Sequence, residues 1–138
     1  MKNPLCGTWK LNVSASLVEP GPLVRSEVRT YEAAGEGDLK LVVHGIDATG
    51  NAYSYNAAGR IDGTDSPMVG SGTRNGADST SWTRIDSYTF ESTVKKVGSV
   101  VNLARLEVSE DGKVLTIREK GINPNGVATC GIRIYDRQ

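Results

Sequence analysis

The sequence predicts an all-β protein, a single antiparallel meander closed into a barrel of about 8–10 strands. Helical periodicity is scarce, because no long window holds an apolar stripe free of Gly or β-branched clusters. Short β-rich runs recur instead, separated by Gly, Asp and Asn. Sequential hairpins pair neighbouring strands, and closing the meander removes its two exposed edges. A two-layer β-sandwich is the alternative.

The length and the net charge of the chain indicate the number of domains and exclude some kinds of partner. The 138 residues suit one β-barrel domain over 1–138 with a core of its own. The 16 basic and 16 acidic residues cancel, so nucleic acid is not an expected partner. No apolar run approaches the roughly 20 residues of a membrane-spanning helix, and the N-terminus has no signal-peptide pattern. We therefore expect a cytoplasmic protein, unless a leader was removed, with no membrane partner and with a homodimer left open.

The strands are predicted in order from these runs and their turns. They cover residues 6–13, 24–32, 39–47, 51–61, 67–69, 79–85, 89–97, 100–109, 113–121 and 127–136. Between the first two, Pro20 and Pro22 around Gly21 exclude regular structure. An irregular connection or a lid is expected there, with room for one short helical turn.

The hairpin of the third and fourth strands holds the only histidine, His44, together with Tyr53 and Tyr55. Residues 47–51 fit a three-residue loop with Gly50 in the left-handed region. In that register both tyrosines share a face with the apolar residues of the third strand, and His44 lies on the other face. A two-residue loop would instead place His44 opposite Tyr55.

A later hairpin contributes a second group of candidates. Its turn aligns Trp82 and Arg84 with Phe90, while Glu91 lies on the opposite face. An inward Arg84 beside two aromatic rings would need a carboxylate, a ligand anion or solvent. The alternative is a solvated Arg84 at the barrel rim.

Two cysteines, Cys6 and Cys130, fall in the first and last predicted strands. Without a sign of export, two reduced and buried thiols are expected. A disulfide that closes the sheet where its ends meet is the alternative. The pair matches no zinc pattern, since four nitrogen or sulfur ligands are normal.

The run from Gly7 to Trp9 resembles the Gly-x-Trp signature of lipocalins and other calycins. The wider pattern GTWKLN, a Pro-Gly-Pro loop, TYE, GIDATG, RIDG, TRID and a closing IYD is similar to a family of small bacterial lipocalin-like proteins, mostly uncharacterised. The resemblance implies a barrel whose closed end is plugged by Trp9. It also implies a basic residue of the last strand across that ring, for which Arg133 and Arg137 are the candidates.

Catalytic and cofactor motifs are missing from the sequence. It has no phosphate-binding loop, dinucleotide fingerprint, H-E-x-x-H or G-x-S-x-G pattern, and we expect no cofactor and no metal. A barrel filled with small and mixed residues leaves room for a small hydrophobic or aromatic ligand. The candidate ligand contacts are Tyr53, Tyr55, Trp82, Arg84, Phe90 and Arg105.

Whether the protein is an enzyme is left open by these residues. The alternative to binding is a cofactor-independent isomerase, cyclase, dehydratase or lyase acting on such a molecule. Its candidate groups are Tyr53 or Tyr55 as hydrogen-bond donor and His44 or Glu91 as base, with Arg84 or Arg105 stabilising an enolate or carboxylate. A partner-binding module that uses the exposed loops is a third hypothesis.

Overall fold

A computed structural model describes residues 3–35 and 37–138. The described residues form antiparallel β-strands and two short 3₁₀ turns, Val13–Ala15 and Arg74–Gly76. The strands are β1 (Gly7–Leu11), β2 (Leu17–Glu19), β3 (Ser26–Ala33), β4 (Asp38–Ile46), β5 (Ala52–Arg60), β6 (Ser66–Gly70), β7 (Ser79–Arg84), β8 (Thr89–Lys96), β9 (Ser99–Val108), β10 (Val114–Ile122) and β11 (Ala128–Arg137).

The sheet closes on itself through its first and last strands. Neighbouring strands pair in sequence from β3 to β11, β1 lies beside β3, and β1 also pairs with β11. Trp9 faces Arg137 across this closing contact. The result is a closed ten-strand antiparallel barrel with β2 as an extra strand. The predicted barrel is confirmed, and the sandwich alternative is wrong.

The segment between β1 and β3 is more regular than predicted. Asn12 caps the first 3₁₀ turn, since its side-chain oxygen accepts a hydrogen bond from the backbone N–H of Ala15 at 3.2 Å. The chain then returns to β11 as β2, where Glu19 pairs with Cys130. The predicted helical turn is therefore present, but the expectation of irregular chain throughout this segment is wrong.

The hairpin of β4 and β5 has the predicted three-residue loop. The backbone N–H of Asp47 donates to the carbonyl of Asn51 at 2.8 Å, and Gly50 has a φ of 91°. His44 pairs with Ser54, as the favoured register requires. The other predicted strands also end within two residues of the observed ones.

Successive hairpin connections of a meander lie at opposite ends of the barrel. The two ends of this barrel differ in how densely their side chains are packed. At the closed end several large apolar side chains are fully buried, namely Trp9, Leu39, Phe90 and Leu115. At the open end lie the connections 20–25, 71–78 and 123–127. The core is therefore dense at one end, and space inside the barrel is left toward the other.

Arg137 closes the dense end by lying across Trp9. Its guanidinium carbon is 4.2 Å from the centroid of the indole ring, and its Nη atoms donate to the carbonyls of Cys6 at 2.9 Å and Pro4 at 2.7 Å. A Cβ at residue 7 would collide with this guanidinium, which explains Gly7. This is the arrangement that the Gly-x-Trp resemblance implies, with Arg137 as the basic residue.

The two cysteines are free. Cys6 is half-buried, whereas Cys130 is exposed on the outer face of β11. The disulfide alternative is wrong for this structure, and so is the expectation that both thiols are buried. Within residues 3–35 and 37–138, no helix has the length and apolar character needed to cross a membrane.

Candidate functional site

A cavity of about 270 Å³ lies inside the barrel and opens between the connections at its open end. Three of the inward residues around it, Thr80, Ser92 and Ala104, have small side chains. Larger apolar side chains form much of the remaining wall, including Leu41, Met68, Trp82, Val94, Leu106 and Ile117. The small residues leave space that bulkier side chains would fill in a solid core.

Glu27 is the centre of a buried polar cluster on the wall of this cavity. Its Oε2 accepts hydrogen bonds from Nε of Arg29 at 3.0 Å, from Nη2 of Arg29 at 2.7 Å and from the hydroxyl of Tyr135. Its Oε1 accepts a hydrogen bond from the hydroxyl of Tyr53 at 2.7 Å. Glu27 and Arg29 reach the same interior because residues two apart on a strand share a face.

A second ion pair adjoins the first. Nη2 of Arg133 donates to Oε2 of Glu119 at 2.8 Å, and Nη1 donates to the hydroxyl of Tyr135 at 2.8 Å. Nη1 of Arg133 also lies 3.5 Å from Oε2 of Glu27. Tyr135 thus bridges the two pairs, and among the described side chains of the cluster the arginine and glutamate charges balance.

These contacts fix the ionisation state of Glu27. Burial alone would raise its pKa, but Arg29 and then Arg133, with hydrogen bonds from Tyr135 and Tyr53, lower that pKa to about 2. The carboxylate is therefore ionised at neutral pH. Because both oxygens already accept hydrogen bonds, Glu27 is a counter-ion for the cluster and a poor general base.

Two tyrosine hydroxyls in the cavity retain an uncommitted proton. The Tyr31 oxygen accepts a hydrogen bond from Nη1 of Arg29 at 3.0 Å, and no described residue accepts its proton. Tyr55 stacks on Tyr53 with ring centroids 6.4 Å apart, and its hydroxyl has no hydrogen-bond partner within 3–35 and 37–138. Burial raises the pKa of Tyr55, so this hydroxyl stays protonated.

Asn102 adds another polar group to the same cavity. It points inward from β9, and its side-chain oxygen is buried without a hydrogen-bond partner among the described residues. An unpaired buried oxygen lowers the stability of the folded protein by about 1–3 kcal/mol. A ligand group that donates a hydrogen bond to this oxygen would therefore be stabilised here. No group of three His, Cys, Asp or Glu side chains in the described chain is arranged to hold a metal ion.

Three of the predicted ligand contacts, Tyr53, Tyr55 and Trp82, line the cavity. Phe90 is fully buried at the closed end. Arg84 lies over its ring at 5.3 Å and donates to backbone carbonyls of the adjacent turn. Arg84 is thus a rim residue, and the structure does not bring it together with the cavity tyrosines.

Three other candidate residues lie outside the barrel. Arg105 is exposed and pairs with Glu91 at 3.4 Å on the outer face of β8 and β9. His44 is exposed on the outer face of β4, because Val43 and not His44 points inward. Their placement corrects the expectation that His44 or Glu91 serves as a base beside Tyr55 and that Arg105 contacts the same ligand.

The charged half of the cluster is what the sequence did not reveal. The sequence patterns do not indicate Glu27, Arg29 or Glu119 as site residues, and the Gly-x-Trp resemblance suggests Arg133 only as a partner of Trp9. The available signal is the spacing of Glu27, Arg29 and Tyr31, which places two charges and a tyrosine on one face of β3. A strand face with polar residues normally faces solvent, so the sequence alone would assign this face of β3 to the outside of the barrel.

A second depression lies outside the barrel across β2, β9, β10 and β11. We call it the outer groove and define it by the exposed side chains of Leu17, Leu103 and Ile132. Its volume of about 760 Å³ exceeds that of the cavity. It is more open to solvent, however, and holds no counterpart of the Glu27 cluster among the described residues, so the cavity is the stronger candidate site.

The protein is thus a closed β-barrel with a small interior cavity, and a cluster of buried polar side chains lies on the wall of that cavity. No protein-family model matches the chain, and no curated protein matches it. A redesigned β-barrel, b11L5F_LGL, is similar with a TM-score of 0.56 and 14% identity, over 98% of this chain and 92% of that one. At this identity the likeness shows the fold alone.

Two further solved structures are similar. EF1p2_mFAP2b bound to DFHBI gives a TM-score of 0.53 and 11% identity, over 98% of this chain and 94% of that one. The tryptamine complex of the amine-binding protein of Rhodnius prolixus gives a TM-score of 0.45 and 11% identity, over 97% of this chain and 65% of that one.

Proposed function

We propose that this protein binds a small, mainly apolar organic molecule inside the barrel. The observation that carries the proposal is the cavity itself, whose apolar walls meet a few convergent polar groups. Ligand sites in proteins have this composition, because apolar walls supply affinity and a small number of polar groups fix orientation. An aromatic molecule suits the site, since Trp82 and Tyr55 offer ring faces and edges to it.

The fold likeness supports the same function. EF1p2_mFAP2b, a protein of similar fold, is bound to DFHBI. The opening between the connections at the open end gives a small molecule a route into the cavity.

The proposal is tested by titrating the protein with naphthalene derivatives while following tryptophan fluorescence, because Trp82 lines the cavity. Native mass spectrometry on the same samples gives the stoichiometry, for which we expect one molecule per chain. Replacing Ala104 with Phe fills the cavity from inside, so it should weaken binding about tenfold or more. The matched control is Ala58→Phe, since Ala58 is exposed on β5. Unchanged affinity in Ala104→Phe would place the ligand outside the cavity and contradict the proposal.

A second candidate function is cofactor-independent catalysis on the bound molecule. The observation that favours it is the set of buried ionisable groups with displaced pKa values along the cavity wall, a feature common in active sites. Of the candidate hydrogen-bond donors, Tyr53 and Tyr55 both line the cavity. Because the hydroxyl of Tyr53 already donates to Glu27, Tyr55 is the one that would donate a hydrogen bond to a substrate carbonyl. An isomerase, cyclase, dehydratase or lyase reaction would need such a donor.

The catalytic alternative has its own test. Once a substrate is in hand, Tyr55→Phe should lower kcat about tenfold or more, whereas His44→Ala should keep the full rate because His44 lies outside the barrel. An unchanged rate in Tyr55→Phe would reject this role for the hydroxyl.

A further inference from the structure

We propose that the cavity selects neutral molecules that present a hydrogen-bond acceptor, a ketone or another carbonyl oxygen, to the hydroxyl of Tyr55, with that of Tyr31 as a second donor. This inference rests on the proposed function, since it names the chemistry of the ligand that the cavity would hold. It follows from which donors and acceptors of the polar cluster are already used.

The acceptor side of the cluster is occupied. Both oxygens of Glu27 accept hydrogen bonds from Arg29, Tyr53 and Tyr135. A ligand that brings only donors, such as an ammonium group, would find both oxygens of Glu27 already taken, and the unpaired side-chain oxygen of Asn102 offers it a single acceptor. An ammonium group would also add an uncompensated positive charge to a buried cluster in which Glu27 compensates Arg29 and Glu119 is paired with Arg133, which is unfavourable.

The donor side is open. Nη1 of Arg29 occupies a lone pair of the Tyr31 oxygen, so the Tyr31 proton is left to donate elsewhere. A hydroxyl that accepts from a guanidinium becomes a stronger donor, because hydrogen bonds in a chain polarise one another. The hydroxyl of Tyr55 has no hydrogen-bond partner among the described residues, and Nε of Arg133 is buried without one as well.

Both donors lie on one wall of the barrel. Tyr31 pairs with Leu41 across β3 and β4, and Leu41 pairs with Ala57 of β5. Tyr55 is two residues from Ala57 and therefore shares its face. Both tyrosines line the same cavity, so a carbonyl entering from the open end meets donors on the β3–β5 wall.

Among the described side chains of the cluster, the balance of charge favours a neutral acceptor over an anion. Glu27 compensates Arg29, and Arg133 is paired with Glu119. A carboxylate would add an uncompensated negative charge to this balanced set in a desolvated space. A carbonyl oxygen accepts the same hydrogen bonds without that charge.

The test compares two probes of nearly the same shape, 2-acetylnaphthalene and 2-isopropylnaphthalene, of which only the ketone has an acceptor. We expect the ketone to bind about tenfold more tightly, as one or two hydrogen bonds in a buried site provide. Its carbonyl stretch in the infrared should move to lower frequency in the complex. The anion 2-naphthoate should bind more weakly than the ketone.

Tyr55→Phe provides the decisive variant, because its hydroxyl has no described partner and its loss leaves the fold intact. It should remove most of the ketone's advantage and most of the infrared shift. Tyr88→Phe is the matched control, since Tyr88 is 41% exposed, and it should change neither. Tyr31→Phe should act in the same direction as Tyr55→Phe, but the latter decides the outcome if Tyr31→Phe fails to fold.

The outcomes separate this inference from the proposed function. Equal affinities for ketone and hydrocarbon, with an unshifted carbonyl stretch, would overturn the inference and leave ligand binding in the cavity standing. Tighter binding of 2-naphthoate than of the ketone would also overturn it. Binding of none of the three probes would overturn both proposals.

Discussion

The hydroxyl of Tyr53 donates a hydrogen bond to Oε1 of Glu27 at 2.7 Å across the interior of the barrel. Two residues further along β5, Tyr55 has no such partner among the described residues. The two stacked tyrosines therefore differ in role. The hydroxyl of Tyr53 stabilises the buried carboxylate of Glu27, and the hydroxyl of Tyr55 is available to a ligand.

This division predicts different stabilities for two otherwise similar variants. Tyr53→Phe removes a hydrogen bond to a buried charge and should lower the free energy of unfolding by about 1.5–3 kcal/mol. Tyr55→Phe removes no described hydrogen bond and should change it by about 0.5 kcal/mol or less. Urea unfolding of both variants measures this. Equal losses would show that the two hydroxyls are not distinguished in the fold.

Acid should weaken the barrel through Glu27. Its pKa is about 2 in the folded protein, below the usual 4.5, so the folded state favours the carboxylate. The resulting stability is present above pH about 4.5 and is lost as the pH falls toward 2. Between pH 6 and pH 3 this amounts to about 2 kcal/mol, from about 1.4 kcal/mol for each unit of pKa shift.

Glu27→Gln isolates this effect, because the exposed turn carboxylates remain in both proteins. Urea unfolding at pH 6 and pH 3 should show that the wild-type protein loses about 2 kcal/mol more than the variant. At pH 6 the variant itself should be less stable by about 3 kcal/mol, since it leaves buried arginine charge uncompensated. A parallel loss in both proteins would mean that Glu27 is not held ionised by the cluster.

Alkali should act through three buried tyrosines. Burial is the main cause that raises the pKa values of Tyr53, Tyr55 and Tyr135 above 10, with Glu27 adding to the rise. Because the folded state favours the protonated form, this stability is present below pH about 10 and is lost above it. Ultraviolet titration should show at least three of the five tyrosines ionising only as the barrel unfolds. Ionisation of all five in the folded protein near pH 10 would contradict the buried placement.

The closed end should depend on Arg137. Arg137→Ala removes the contact with the Trp9 ring and the hydrogen bonds to the carbonyls of Cys6 and Pro4. We expect a loss of about 3 kcal/mol. Arg118→Ala is the control, because the exposed pair of Arg118 with Glu107 at 2.8 Å contributes at most about 1 kcal/mol. Similar unfolding midpoints for the two variants would show that Arg137 does not hold the barrel end closed.

Much of the architecture could be predicted because it is encoded locally. Turn residues such as Gly50 set the register of a hairpin, and the register decides the face of every residue in it. Tyr53, Tyr55 and Trp82 were placed inward on that basis. The short strand β2 could not be predicted, because its pairing with β11 is a contact between distant segments that no local pattern records.

The charged part of the site was hidden for a different reason. Glu27 and Arg29 alternate with Val28, which is partly exposed, so β3 carries its charges inward and an apolar residue outward. Alternation alone gives two faces but does not say which one is buried. On β9 the same ambiguity applied to Arg105, which lies next to inward Ala104 and is exposed. Only the closed barrel decides between the faces.

Methyl NMR during titration with 2-acetylnaphthalene shows whether the ligand lies in the barrel interior. We expect contacts between the probe and the methyl groups of Leu41, Leu106 and Ile117, which line the cavity. Contacts with Leu103 and Ile132 of the outer groove, and none with the interior methyl groups, would contradict that expectation.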